Sequence, residues 1–374
     1  MYRNYSTAKA SPDFTLMITI ILLVLIGVSI VYSSSFIYAE KLTGDSLFFF
    51  KNHIITLCIA IVFFMIGYFM NPEIILKAYK VLVVMAILLL IAVLIPGVGR
   101  KVSGAKRWIS LGFFRMQPSV IAKFAVIVYL SMLLTMKSER LNLFTKGILP
   151  PLIFIAIISF LIILQPDVSS AAIIIIISFF MFFTAGVPLL HIATVACINI
   201  PFFVLLIERK RYVLDRLIFF NPYDDPYGRG YHLIQSFKSF RLGGIKGLGP
   251  GNSVQKISNL PEAHTDFIFS VIGEETGFIG CLFIMLIFGV FFYKGITITR
   301  RIEDKAFSLL AFGITISIFF QALYHIMVVT GLAPTTGMPL PFISYGRTSL
   351  VINMLMAGIL LGLSRMPVSG DSYA

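Results

Sequence analysis

The sequence predicts an all-α integral membrane protein of about ten transmembrane helices, with one large polar loop between the seventh and eighth. Three observations lead there. Of 374 residues, 58% are hydrophobic and only 13% are charged. Mean hydropathy is +0.95, which excludes an ordinary soluble domain. Apolar runs also recur along the chain, many of them near the roughly 20 residues that cross a bilayer core.

Taken in order, the first run, Phe14 to Ser33, follows Arg3 and Lys9. It is long and lacks a small-residue cleavage site, so it reads as a retained anchor. Ile54 to Met70 and Val81 to Ile95 come next. Ile121 to Met136 is entered through Gln117 and Pro118, a helix start. Leu152 to Leu164 and Ala171 to Thr184 are separated at Pro166, and Ile192 to Ile207 is the seventh run. From about Glu208 to Thr265 the chain turns aromatic, basic and glycine-rich; within it, Asn221 to Ser236 reads as turns leading into a short amphipathic helix, with Asp224 and Asp225 as turn residues. Phe267 to Phe292, Phe307 to Val329 and Leu350 to Leu363 complete the set. Cys58, Cys197 and Cys281 lie inside apolar runs without metal-ligand spacing and read as packing residues. There is no long linker, low-complexity tract or internal repeat, so residues 1–374 read as a single polytopic domain.

The net charge is +13, and its placement matters more than its size. With a cytoplasmic N-terminus, Lys77, Lys80, Lys137, Arg140, Lys146, Lys294, Arg300, Arg301 and Lys305 fall inside, as the positive-inside rule prefers. Two loops then break the rule. One holds Arg100, Lys101, Lys106, Arg107 and Arg115; the large one holds Arg209, Lys210, Arg211, Arg216, Arg229, Lys238, Arg241, Lys246 and Lys256. Either the orientation is inverted, or both loops build an external site for an anion such as a phosphate-bearing substrate. "RLGGIKGLGPGNSVQK", from Arg241, allows two readings as well: a membrane-hugging loop, or glycines that turn backbone amides toward phosphate around Lys246.

Ionisable residues within or bordering apolar runs are candidates for function. Lys123 lies about a turn and a half into its helix, either snorkelling or buried. Asp167 is a helix cap or a site residue. Asp266 stands at the mouth of the eighth run, and at 3.6 residues per turn Asp266, Ser270, Glu274 and Gly277 share a face. One of Glu274 and Glu275 points into the bundle and needs a cation, for which Lys123 is the expected partner. His325 reads as a buried, hydrogen-bonded histidine, since no second ligand sits at helical spacing.

Several ordered blocks carry a resemblance: "GVSIVYSSS" from Gly27, "GAKRWISLG" from Gly104, "QPSVIAK" from Gln117, "QPDVSSA" from Gln165, "LPEAHTDFIFSVIGEETGFIG" from Leu260 and "GLAPTTGMPLPFISYG" from Gly331. From Asp13 to Leu363 the chain resembles the SEDS family of shape, elongation, division and sporulation proteins, and most of all its cell-division branch. The resemblance implies a cytoplasmic N-terminus, ten transmembrane helices and an external loop before the eighth. The C-terminus is then expected to be cytoplasmic too, in a bacterial inner membrane at the division septum. It also implies a peptidoglycan glycosyltransferase that joins lipid II, an undecaprenyl-pyrophosphate-linked disaccharide-pentapeptide, through β-1,4 bonds and releases undecaprenyl pyrophosphate. The implied partners are a class B penicillin-binding protein, other divisome proteins and membrane lipids, with no nucleic acid. On this resemblance Asp266 is the catalytic base. Arg115, Lys106, Arg107 and Lys123 are expected to bind pyrophosphate, Lys246 and Asp167 belong to the substrate site, and Glu262 and His264 orient Asp266 or the sugar. No cofactor is required by the motifs; a divalent cation at the pyrophosphate stays open, because no carboxylate pair has ligand spacing.

The chain departs from the family pattern at Val120, where an acidic residue is usual, at Arg347 and Thr348 in place of Gly and Ser, at Ser169 and Ser170 in place of Gly and Thr, and at His325, where Asn is common. The same residues also allow a lipid II flippase, a noncatalytic divisome scaffold or an elongation-branch polymerase.

Overall fold

The computed structural model describes residues 11–102, 105–111, 114–191, 193, 222–228, 230–255 and 263–366. Apart from Ala193, the seventh predicted run lies outside these residues, as do Cys197, Arg209, Lys210, Arg211, Arg216, Arg229, Lys256 and Glu262. The chain is a multi-pass, all-helical membrane protein. Its helices are α1 (Phe14–Thr43), α2 (Phe48–Phe69), α3 (Pro72–Lys77), α4 (Tyr79–Leu94), α5 (Pro118–Met136), α6 (Leu149–Leu164), α7 (Val168–Ala185), α8 (Tyr231–Gly243), α9 (Ile268–Arg301), α10 (Lys305–Val329) and α11 (Arg347–Leu363). Among the described residues, seven helical segments are long and apolar enough to span a bilayer, and α4 and α11 are shorter apolar helices.

Several helices outrun their apolar stretches. The helix α1 starts where predicted, with Asp13 accepting from Leu16 N, but continues to a left-handed cap at Gly44. Apolar windows mark the hydrocarbon thickness, whereas a helix continues for as long as its backbone bonds close on themselves. The helices α5 and α10 are the most enclosed and form the centre of the bundle; α5 packs on α4, α7 and α10, and α10 also packs on α7 and α9. On one flank α2 lies along α11, so close that a Cβ on Gly358 would come within 2.1 Å of Phe64 O. Only a small residue admits that approach. At one end of the bundle the two ends of the described chain meet, since Asp13 N donates to Ser364 Oγ (3.1 Å) while Lys294 Nζ reaches Asp13 Oδ2 (3.2 Å).

Two features mark the opposite end, of which the first was not expected. Residues around the first basic loop form a three-stranded antiparallel sheet of β1 (Gly99–Val102), β2 (Ala105–Leu111) and β3 (Phe114–Met116), in that order, with Arg100 opposite Trp108 and Ser110 opposite Arg115. The large loop is also partly built. Pro222–Asp224 forms a 3₁₀ turn and α8 follows, matching the predicted turns and amphipathic helix, and α8 packs along α9.

Candidate active site

Asp266 sits in the turn that precedes α9, partly exposed, while its neighbours Ala263, His264 and Phe267 are buried. Against it lies the irregular strap that joins α10 to α11. A Cβ on Gly337 would fall 3.0 Å from Asp266 Oδ2, so glycine lets the strap backbone approach the carboxylate. Two further bonds fasten the strap to this turn: Ser344 Oγ donates to Thr265 O (2.8 Å) and Tyr345 N donates to His264 O (3.0 Å). The His264 ring packs among Phe49 (4.6 Å), Tyr38 (5.5 Å) and Tyr345 (5.5 Å), which ties the turn to α1 and α2.

Below Asp266, the expected polar face of α9 is covered. Ser270 and Ser236 of α8 share a 2.6 Å hydrogen bond. The Glu274 carboxylate accepts from Ser253 Oγ (2.7 Å), Val254 N (2.7 Å) and Gln255 N (3.1 Å), and Glu275 accepts from Ser33 Oγ of α1 (2.6 Å). The expected pairing of Lys123 with one of these glutamates is therefore corrected, because Lys123 Nζ donates to Gln321 Oε1 at 2.6 Å. Hydroxyl and backbone donors satisfy Glu274 where a cation was expected.

The glycine-rich loop also differs from the phosphate-nest reading. The helix α9 is broken at Gly277 (φ 68, ψ −166), and the loop is spliced into the break. Leu248 N and Gly249 N donate to Glu274 O (3.0 Å) and Glu275 O (2.9 Å), while Phe278 N and Ile279 N donate to Gly244 O (2.9 Å) and Ile245 O (3.3 Å). Gly247 N turns back to Gly243 O (2.7 Å). These amides are spent on backbone carbonyls, and Lys246 is left exposed on the loop's outer side.

The remaining candidates divide by environment. Arg115 is exposed and Lys106 half-buried on the sheet, and β3 is tied to the start of α11 because Thr348 Oγ1 donates to Arg115 O (3.1 Å) and accepts from Gln117 N (3.1 Å). Arg107 turns inward and donates to the carbonyls of Gln165 and Pro166. Asp167 is the cap of α7: its oxygens accept from Ser170 N (3.4 Å), Ser170 Oγ (2.8 Å), Ser119 Oγ (2.9 Å) and Gln117 Nε2 (3.1 Å), which joins α7 to the start of α5. Four donors match the capacity of a carboxylate. His325 is buried and hydrogen-bonded as expected, with Nδ1 2.7 Å from Met338 O. Sequence reading passed over Gln321 and Thr348 as connectors; a glutamine in mid-helix within an apolar run was the available signal for the first.

The comparisons with known proteins agree with this architecture. A family model described as a cell cycle protein, FtsW/RodA/SpoVE, matches residues 14–367. The probable peptidoglycan glycosyltransferase FtsW of Trichlorobacter lovleyi is 37% identical over 366 residues, covering 96% of each chain. Stage V sporulation protein E of Bacillus subtilis is 38% identical over 368 residues, covering 96% of this chain and 99% of that one. Among solved structures, a chain described under structural coordination of polymerization and crosslinking by a peptidoglycan synthase complex superposes with a TM-score of 0.77 at 24% identity, covering 95% of this chain and 98% of that one. Thermus thermophilus RodA, the rod shape determining protein, gives 0.70 at 21%, covering 97% and 98%. At those identities the two structures speak for the fold, while the family model and the relatives cover nearly the whole length: this chain belongs to the SEDS family, the family of FtsW, RodA and SpoVE.

Proposed function

We propose that this protein is a peptidoglycan glycosyltransferase that polymerises lipid II into β-1,4-linked glycan and releases undecaprenyl pyrophosphate, with Asp266 as its base. The observation that carries the reading is a partly exposed carboxylate at the mouth of a membrane helix, held between a buried turn and a glycine of the strap. In the reaction the acceptor sugar's 4-hydroxyl attacks the donor's anomeric carbon. The new C–O bond forms as the bond to pyrophosphate breaks, and the hydroxyl proton passes to Asp266. Asp266 precedes the first turn of α9, whose free N–H groups favour a nearby negative charge. Lys106 and Arg115, on the sheet tied to α11, supply positive charge for the departing pyrophosphate. Arg107, committed to the Gln165 and Pro166 carbonyls, holds the sheet against the α6–α7 junction.

The relatives' names include both FtsW and a sporulation protein, and we assign the chain to septal wall synthesis, with cytoplasmic termini and a class B penicillin-binding protein that crosslinks the product. The test is to purify the protein with that transpeptidase, supply lipid II, and follow glycan polymer together with lipid movement across vesicles. Asp266→Asn is expected to lower polymerisation by on the order of a hundredfold or more while leaving the complex intact. Lipid movement without polymer would instead identify a flippase, and neither would identify a scaffold. A fluorescent fusion spread along the lateral wall would sink the septal assignment.

A further inference from the structure

We propose that Lys123, Gln321 and His325 form a buried positioning relay that fixes Gly337–Pro339 of the strap against Asp266, and that none of the three touches substrate. The kinetic part of this proposal rests on Asp266 being the base; the structural part does not.

All three side chains are enclosed, at 6%, 3% and 1% exposure respectively. Gln321 and His325 are one helical turn apart on α10 and present two N–H donors to two successive strap carbonyls. Gln321 Nε2 donates to Pro339 O (2.8 Å), and His325 Nδ1 lies 2.7 Å from Met338 O. A carbonyl only accepts, so His325 carries its proton on Nδ1. The strap needs such donors because it is irregular, with Phe342 at φ 65, and because Pro339 and Pro341 bring no N–H of their own.

Lys123 sets the direction of the relay. Lys123 Nζ donates to Gln321 Oε1 (2.6 Å), which turns the oxygen of the Gln321 amide toward α5 and leaves its NH₂ to donate to Pro339 O and Ser349 Oγ (3.3 Å). With the amide flipped, two carbonyl oxygens would face each other. Val120, one turn before Lys123, offers no side-chain acceptor, and the amide of Gln321 accepts from Nζ instead. On its far side the strap meets Asp266 through Gly337 and holds the preceding turn through Ser344 and Tyr345. Releasing the two carbonyls therefore frees one wall of the carboxylate's site.

The decisive variant is Gln321→Glu, which keeps the oxygen that faces Lys123 and the packing volume but removes the donor to Pro339. The readouts are amide exchange of residues 337–345, which needs no substrate, and kcat and KM for lipid II polymerisation. We expect exchange faster by on the order of tenfold, and kcat lower by on the order of ten- to a hundredfold with KM little changed. His325→Ala should behave likewise and His325→Asn, which restores a donor at the same position, should rescue both readouts. Wild-type exchange in Gln321→Glu, or a Lys123→Met protein whose only change is a raised KM, would overturn the relay and return Lys123 to the pyrophosphate site. If the wild type makes no polymer, the reading of Asp266 as a catalytic base fails, while the exchange experiment still decides the relay.

Discussion

Two carboxylates, one just before α9 and one within it, meet opposite fates, and their surroundings explain why. Asp266 is partly exposed beside a glycine, whereas Glu274 is fully enclosed and accepts three hydrogen bonds from the large loop. Replacing Glu274 with Ala would leave the Ser253 hydroxyl and the Val254 and Gln255 amides without acceptors. The expected loss is about 2–4 kcal/mol, read as a lowered thermal midpoint in detergent, and Glu274→Gln should lose less than half as much because one amide oxygen remains. Both carboxylates were legible in the sequence as expensive residues near an apolar run, but the partner of Glu274 was not. Backbone amides leave no mark in a pattern of side chains, so the search for a balancing charge led to Lys123, which serves Gln321 instead. Of the two readings of Asp167 the cap is the one seen: a carboxylate just after Pro166 and before an apolar run has the pattern of a cap, and it caps α7.

At the level of elements, the break in α9 is matched to the glycine loop. Gly277 has φ 68 and ψ −166, and a Cβ there would lie 2.4 Å from both Gly247 N and Ile245 O. Gly277→Ala therefore suffers both backbone strain and collision, and should cost about 2–3 kcal/mol or more. Limited proteolysis reads this directly: the segment from Gly244 to Gln255 should become cleavable in the variant and resist in the wild type. The run of glycines announced positive φ angles, and five of the loop's residues adopt them or pack closely because they lack a Cβ: Gly243, Gly244, Gly247, Gly249 and Gly251. What the sequence did not reveal was the recipient of the freed amides, since a phosphate and a broken helix ask for the same donors. The basic sheet was missed for a different reason. Its strands are short and dominated by charge, although the Ser103-Gly104 dipeptide between "GRKV" and "AKRWISL" is a turn signal that could have indicated a hairpin.

For the whole molecule, apolar runs predicted the apolar helices seen among the described residues, because in lipid the backbone must satisfy itself and a long apolar segment has little choice but to be helical. Orientation is the part that charge counting left open. Two ends of the described chain, Asp13 and Ser364, meet on one side with Lys294, while Tyr227 projects almost fully exposed from the large loop and Glu303 is exposed between α9 and α10. With cytoplasmic termini, a Tyr227→Cys protein should react with a membrane-impermeant maleimide in intact cells, and a Glu303→Cys protein only after permeabilisation. The reverse pattern would invert the molecule and remove the external anion site. The splice at Gly277 also carries a temporal consequence. An uninterrupted α9 would close bonds from Phe278 to Glu274 and from Ile279 to Glu275 within itself; the splice exchanges those two for four bonds to the loop. The break is therefore tolerable inside an apolar run only when the loop is present, and the loop's turns have these acceptors only when α9 is present. Neither can be finished before the other, so the loop sets only after the eighth predicted span has formed, although the loop is synthesised first.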